Sequence, residues 1–109
     1  MEDLHAKANM LRVLQINEDG RKELTPYEAL DEIITTFCTV HGGLEEAMPM
    51  VRKKFAEADV DFSNPTKEGL KKVADKLVEV TRFLKGPDIA ERERKKFRWI
   101  LRRVPEESR

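Results

Sequence analysis

Apolar and polar positions along this chain recur with a helical period. Leu30, Ile33, Ile34, Phe37, Val40 and His41 are spaced by threes and fours and define one face of a helix. That helix opens with Thr25-Pro26-Tyr27-Glu28, a capping box with proline at the first helical position, and Gly42-Gly43 can close it in a left-handed cap. A second stripe, Leu44, Ala47, Met48, Val51, Phe55 and Ala58, predicts a helix over 44–58. Pro49 falls on its solvent side, where it either kinks the helix or marks a regular start near Met48. A loop over 59–65 follows, with Asn64 or Thr66 as the next cap. Leu70, Val73, Leu77, Val80 and Leu84 give the clearest helix, over 65–85, ended by Gly86-Pro87. Asp88-Ile89-Ala90-Glu91 has the form of another capping box and opens a last helix that runs to about Val104, before Pro105. Residues 105–109 are expected to fray.

The segment 1–24 is harder to read. Leu4, Ala8, Leu11 and Leu14 fit a helix, but Met10, Val13 and Ile16 place apolar groups on its other faces. Such a helix would be central or would pack against a second copy of the chain. A hairpin turning at Asp19-Gly20 is the alternative. The whole pattern predicts one all-α domain over 1–109, a four- to five-helix bundle with short loops punctuated by Gly and Pro. Its core would include Leu30, Ile33, Phe37, Val51, Phe55, Leu70, Val73, Leu77, Val80, Leu84, Phe97, Ile100 and Leu101. Arg52-Lys53-Lys54-Phe55 recurs as Arg94-Lys95-Lys96-Phe97, an echo that paired helical hairpins or chance explain equally well.

Composition narrows the class. The 109 residues are 39% apolar and 39% charged, so the exposed helix faces must be largely charged. No apolar run approaches the ~20 residues of a membrane span, and the N-terminus lacks a signal-peptide pattern. The single cysteine, Cys38, excludes an internal disulfide framework and fits a reducing, cytoplasmic setting.

Net charge is zero, with 21 basic and 21 acidic residues, yet the charges are not evenly spread. A globally basic nucleic-acid binder is therefore disfavoured, whereas a local basic surface is not. That surface is the last helix: residues 92–103 hold seven Lys or Arg against one acid, Glu93. On a helical projection Ile89, Ala90, Phe97, Ile100, Leu101 and Val104 share one side, and Trp99, the only tryptophan, falls opposite, among Lys95, Lys96, Arg102 and Arg103. Cations beside an exposed aromatic suit phosphates and a stacked base, or an acidic protein surface. The plainer reading is that Trp99 covers a second groove, against the first helix or a second copy. Lying on anionic lipid would put the tryptophan on the apolar side, where it is not.

Other candidate chemistry fails on particular residues. Asn17 to Glu28 has the outline of a calcium loop, but Arg21 stands where an oxygen ligand is needed and Lys22 where glycine makes the turn. A helix-turn-helix across Phe37 to Val51 would begin its reading helix with Glu45-Glu46 and interrupt it with Pro49. Cys38 and His41 are three apart, but only His5 could join them, which leaves a metal set incomplete. Asp75 and Glu79 lie among Lys71, Lys72, Lys76 and Arg82 as a solvated, ion-paired face. No phosphate loop, dinucleotide fingerprint or nucleophile elbow is present. The expectation is a non-catalytic binding or adaptor module without metal or cofactor. It would present Arg92, Lys95, Lys96, Arg98, Trp99, Arg102 and Arg103 to nucleic acid or an acidic protein surface. A self-assembling homo-oligomer, with Trp99 and the first helix at the seam, is the alternative.

Overall fold

A computed structural model of the chain describes residues 23–106. The helix-or-hairpin question over 1–24 and the first half of the calcium-loop outline therefore fall almost wholly outside the described residues. Within them the fold is all-α: α1 (Pro26–Val40), α2 (Leu44–Glu57), α3 (Lys67–Lys85) and α4 (Pro87–Arg102), with no strand among the described residues. Helices α1 and α3 each touch all three other helices, whereas α2 and α4 do not meet and so lie on opposite sides of the bundle. The α3–α4 interface is the most extensive. No helix among the described residues is long and apolar enough to cross a membrane.

The helix ends follow local chemistry. Thr25 and Glu28 form the reciprocal capping box, with the Thr25 backbone N–H donating to Glu28 Oε1 at 2.9 Å and the Glu28 N–H donating to Thr25 Oγ1 at 3.1 Å. At the other end of α1, Gly42 takes φ 97° and the Gly43 N–H donates to the Cys38 carbonyl at 2.7 Å, as expected of a left-handed cap. Helix α2 ends in the same six-to-one bond, from Val60 N–H to the Phe55 carbonyl, but with Asp59 rather than glycine in the left-handed position, at φ 59°. Pro49 lies inside α2 on its exposed side, and the helix begins at Leu44 rather than near Met48. Thr66, not Asn64, caps α3 by accepting from the Gly69 N–H at 3.0 Å.

The expected capping box at Asp88–Glu91 does not form. Gly86 is at once the C-cap of α3 and the N-cap of α4, which puts Pro87 at the first helical position and Asp88 within the first turn. Glu91 turns instead to Arg94, at 2.9 Å. Gly86 has φ 98° and ψ 166°, a region essentially confined to glycine.

The predicted core is largely present. Ile33, Phe37, Val51, Phe55, Leu70, Val73, Leu77, Phe97, Ile100 and Leu101 are buried. Leu30 and Val80 are only partly covered, and Leu84 is 52% exposed. Leu84 faces the core by angle but sits in the last turn of α3. Periodicity gives the side a residue faces, and not whether a neighbour reaches that height along the helix. The loop read as a simple connector contributes to the core as well. Phe62 packs edge-on against Phe55, at 4.6 Å between ring centroids, with Val60 beside it on the core.

Two backbone substitutions should act in opposite directions. Gly86→Ala should cost about 1–3 kcal/mol, because an L-residue is strained at that φ and ψ even though a Cβ there meets open space. Asp59→Gly should add about 0.5–1 kcal/mol by relieving the left-handed aspartate. Urea denaturation of each variant measures both.

Candidate partner-binding surface

Helix α4 buries Ala90, Phe97, Ile100 and Leu101, as the apolar stripe requires. Its exposed charged residues, with Lys95 and Trp99 in the middle, span a broad arc whose two edges face different neighbours, α1 and α3. Arg92 and Lys96 line a cleft of about 310 Å³ against Thr35, Thr36, Thr39 and Val40 of α1. Arg94, Arg98 and Arg102 line a groove of about 380 Å³ against Lys67, Lys71, Ala74, Asp75 and Val78 of α3. Lys95 is exposed and lines neither.

Trp99 is 40% exposed, and one reason it is not more so is Arg103. The Arg103 guanidinium lies 4.4 Å from the Trp99 ring centroid, and it also reaches Glu32 of α1 at 3.6 Å. With its side chain only 11% exposed, Arg103 is a packing residue that ties Trp99 toward α1. A further bond, from the Leu24 N–H to the Arg103 carbonyl at 2.8 Å, anchors the start of the described chain here. Arg94 is likewise engaged, with both carboxylate oxygens of Glu91 within 3.1 Å of one guanidinium nitrogen. By contrast, Arg92, Lys95, Lys96, Arg98 and Arg102 have no ion-pair partner among the described residues.

The one acid of the basic stretch has an unexpected position. Glu93 is 3% exposed, and neither carboxylate oxygen has a hydrogen-bond partner among the described residues. Burial pushes its pKa up to about 7, and the nearby Thr81 hydroxyl offsets this only in part. Thr81 of α3 is itself fully buried, and its Oγ1 lies 2.8 Å from Nε2 of His41, which packs on Phe37 at 4.2 Å between ring centroids. Thr81 thus stands between His41, at the end of α1, to which it is bonded, and Glu93 on α4, to which it is a neighbour without a hydrogen bond. Burial first, and then the charge of Lys85, holds the His41 pKa below its ordinary value. Both shifts favour the neutral forms.

Glu93 was legible in principle. It lies three residues after Ala90 and four before Phe97, inside the apolar stripe, where a charged residue is anomalous. Lys67 and Lys71, which complete the α3 side of the groove, carry no such mark in the sequence. Cys38 is buried, with burial raising its thiol pKa, and His41 is committed to Thr81, so the two do not act as a pair. No group of three or more His, Cys, Asp or Glu among the described residues is placed to hold a metal ion. No protein-family model matches the chain, and comparison with curated proteins and with solved structures finds no match.

The buried acid should govern how stability varies with pH. The folded pKa of Glu93 is raised, so its proton stabilises the fold below the unfolded carboxylate value, and that stability is lost as pH rises through about 7. His41 works in the opposite sense, since its lowered pKa costs stability as pH falls below the ordinary imidazole value. Glu93→Gln should therefore gain up to about 3 kcal/mol over the parent at pH 8.5 relative to pH 5. Urea denaturation across that range tests this, and an unchanged pH profile would count against an ionisable Glu93 in the core. Glu32→Gln should loosen Arg103 from Trp99, seen as more efficient iodide quenching of the sole tryptophan.

Proposed function

We propose that this chain is a non-catalytic binding module whose last helix captures a polyanionic partner. The observation that carries the reading is the set of five α4 cations, Arg92, Lys95, Lys96, Arg98 and Arg102, without ion-pair partners among the described residues. In a chain of zero net charge, such a local concentration creates a potential that acts over about a Debye length, ~8 Å at physiological salt. An acidic protein surface suits it better than nucleic acid. Trp99, the stacking platform that a base would use, has the Arg103 guanidinium over its ring. The single buried thiol, Cys38, is consistent with a reducing, cytoplasmic setting.

A second reading, self-association, draws support from a different place than Trp99. Phe83 is 88% exposed, and Leu84 and Leu44 are 52% and 61% exposed. Light scattering distinguishes it: a dimer that Phe83→Ser dissociates would favour that reading.

The polyanion reading predicts binding of a fluorescein-labelled acidic polypeptide, measured by anisotropy, that weakens steeply between 50 and 200 mM salt. Reversing Arg98 and Arg102 together to Glu should abolish it. If neither acidic polypeptide, DNA nor RNA binds at low salt, the proposal fails. If DNA or RNA binds with log K falling by about 0.7–0.9 per phosphate contact, the partner is nucleic acid.

A further inference from the structure

We infer that the groove between α3 and α4 is the recognition pocket of this surface, and that it takes a short acidic segment of a partner protein carrying one bulky apolar anchor. This rests on the polyanion reading and adds the partner's chemistry to it. The groove floor is apolar, made by Ala74 and Val78 of α3 with Phe97 and Leu101 of α4. Each is between 2% and 6% exposed, so an anchor would rest on a thin floor and against the aliphatic stems of the rim cations. At about 380 Å³ it lies at the small end of ligand-sized cavities, enough for a large side chain and its flanks but not for a whole helix.

Its rim is cationic on both sides. Lys67, Lys71, Arg94, Arg98 and Arg102 stand against a single carboxylate, Asp75. Arg94 is held by Glu91, and Lys67 donates to the Val104 carbonyl at 2.7 Å and to Glu106 at 3.1 Å. Lys71, Arg98 and Arg102 are left without a close ion pair among the described residues, Lys71 and Arg98 feeling Glu106 and Glu91 only at longer range. The Glu106 contact is informative in itself. An acid of the chain's own C-terminal stretch, 83% exposed at its side chain, already sits on a groove cation as a partner's acid would.

An apolar floor under a cationic rim fits an acidic segment with an apolar anchor, as in other groove-bound peptides. It fits nucleic acid poorly. Phosphates would satisfy the rim, but the floor offers no open ring face for a base, because Phe97 is 2% exposed and Trp99 lies outside this groove.

The test uses the full chain and labelled acidic peptides that differ only at a central residue, Leu, Phe, Trp or Ser. At least one apolar-centred peptide should bind about tenfold or more tighter than the serine version, the factor that a filled apolar pocket gives. Arg98→Glu with Arg102→Glu should remove binding. Arg92→Glu with Lys96→Glu, on the opposite flank, should change it less than about threefold if the groove is the site. Ala74→Trp, which fills the groove, should lower affinity for the apolar-centred peptides toward that of the serine peptide. Its fold is checked by thermal melting, and the charge-reversal pairs decide the question if it does not fold. Equal binding of all four peptides would overturn the pocket while leaving the polyanion reading intact. Loss of binding through Arg92 and Lys96 rather than Arg98 and Arg102 would move the site to the other flank. Absence of binding by every acidic peptide would overturn the pocket, and the DNA and RNA titrations would then decide the polyanion reading separately.

Discussion

One residue sets the relation between α3 and α4. Gly86 closes the first helix and starts the second, so the two are joined with no intervening loop, and its φ of 98° with ψ of 166° makes the reversal possible. The antiparallel pair that results is evident at the far end, where Lys67 in the first turn of α3 meets Val104 just past α4. With both ends fixed, the faces between them have little freedom to slide. Phe97 and Leu101 come to rest against Ala74 and Val78, and Glu93 comes to rest beside Thr81. The groove and the buried acid are thus two products of the same tight connection.

The architecture could be read from the chain because its signals are local. The Thr25–Glu28 box, the Gly42–Gly43 cap and the spacing of Leu70, Val73 and Leu77 depend only on residues within a few turns. Where the reading failed, the deciding fact lay on another helix. Asp88 and Glu91 had the right spacing for a cap, but Gly86 with Pro87 had already started the helix two residues earlier. Leu84 faced inward with nothing at its height to cover it. The seven cations of 92–103 read as one surface, and only the positions of α1 and α3 show that its two edges line separate clefts. Arg103 could not be removed from the set of available charges without knowing that Glu32 lies across from it.

Glu93 raises the question of why a bundle of this size keeps an acid in its core. An apolar residue of similar volume would avoid the desolvation cost, and neighbouring helix faces show that this chain places Val and Leu readily. Of the three polar residues, His41 and Thr81 are bonded to each other, joining the end of α1 to α3, and Glu93 of α4 lies beside Thr81. A purely apolar seam tolerates rotation by a fraction of a residue. A threonine hydroxyl held at 2.8 Å from an imidazole does not. That bond fixes the end of α1 against α3, whereas Glu93 on α4 is desolvated beside it without a hydrogen bond of its own among the described residues.

The cations around the groove separate into those that helix energetics explains and those that it does not. Arg102 stands in the last turn of α4, where the partial negative charge of the helix end favours a cation. Lys67 lies in the first turn of α3, which by itself disfavours it, but it donates to the carbonyl at the end of α4 and so serves that terminus instead. Lys71 has neither excuse. It sits one turn further along α3, toward the positive end of its own helix, and has no ion-pair partner among the described residues. Placed across the groove from Arg98 and Arg102, it adds like charge to like charge, a modest cost through solvent that its attraction to Glu106 offsets in part. An anionic segment seated between the two helices would turn that repulsion into shared attraction. The proposed site is therefore the groove rather than the Trp99 face, since there the like charges of Lys71, Arg98 and Arg102 converge.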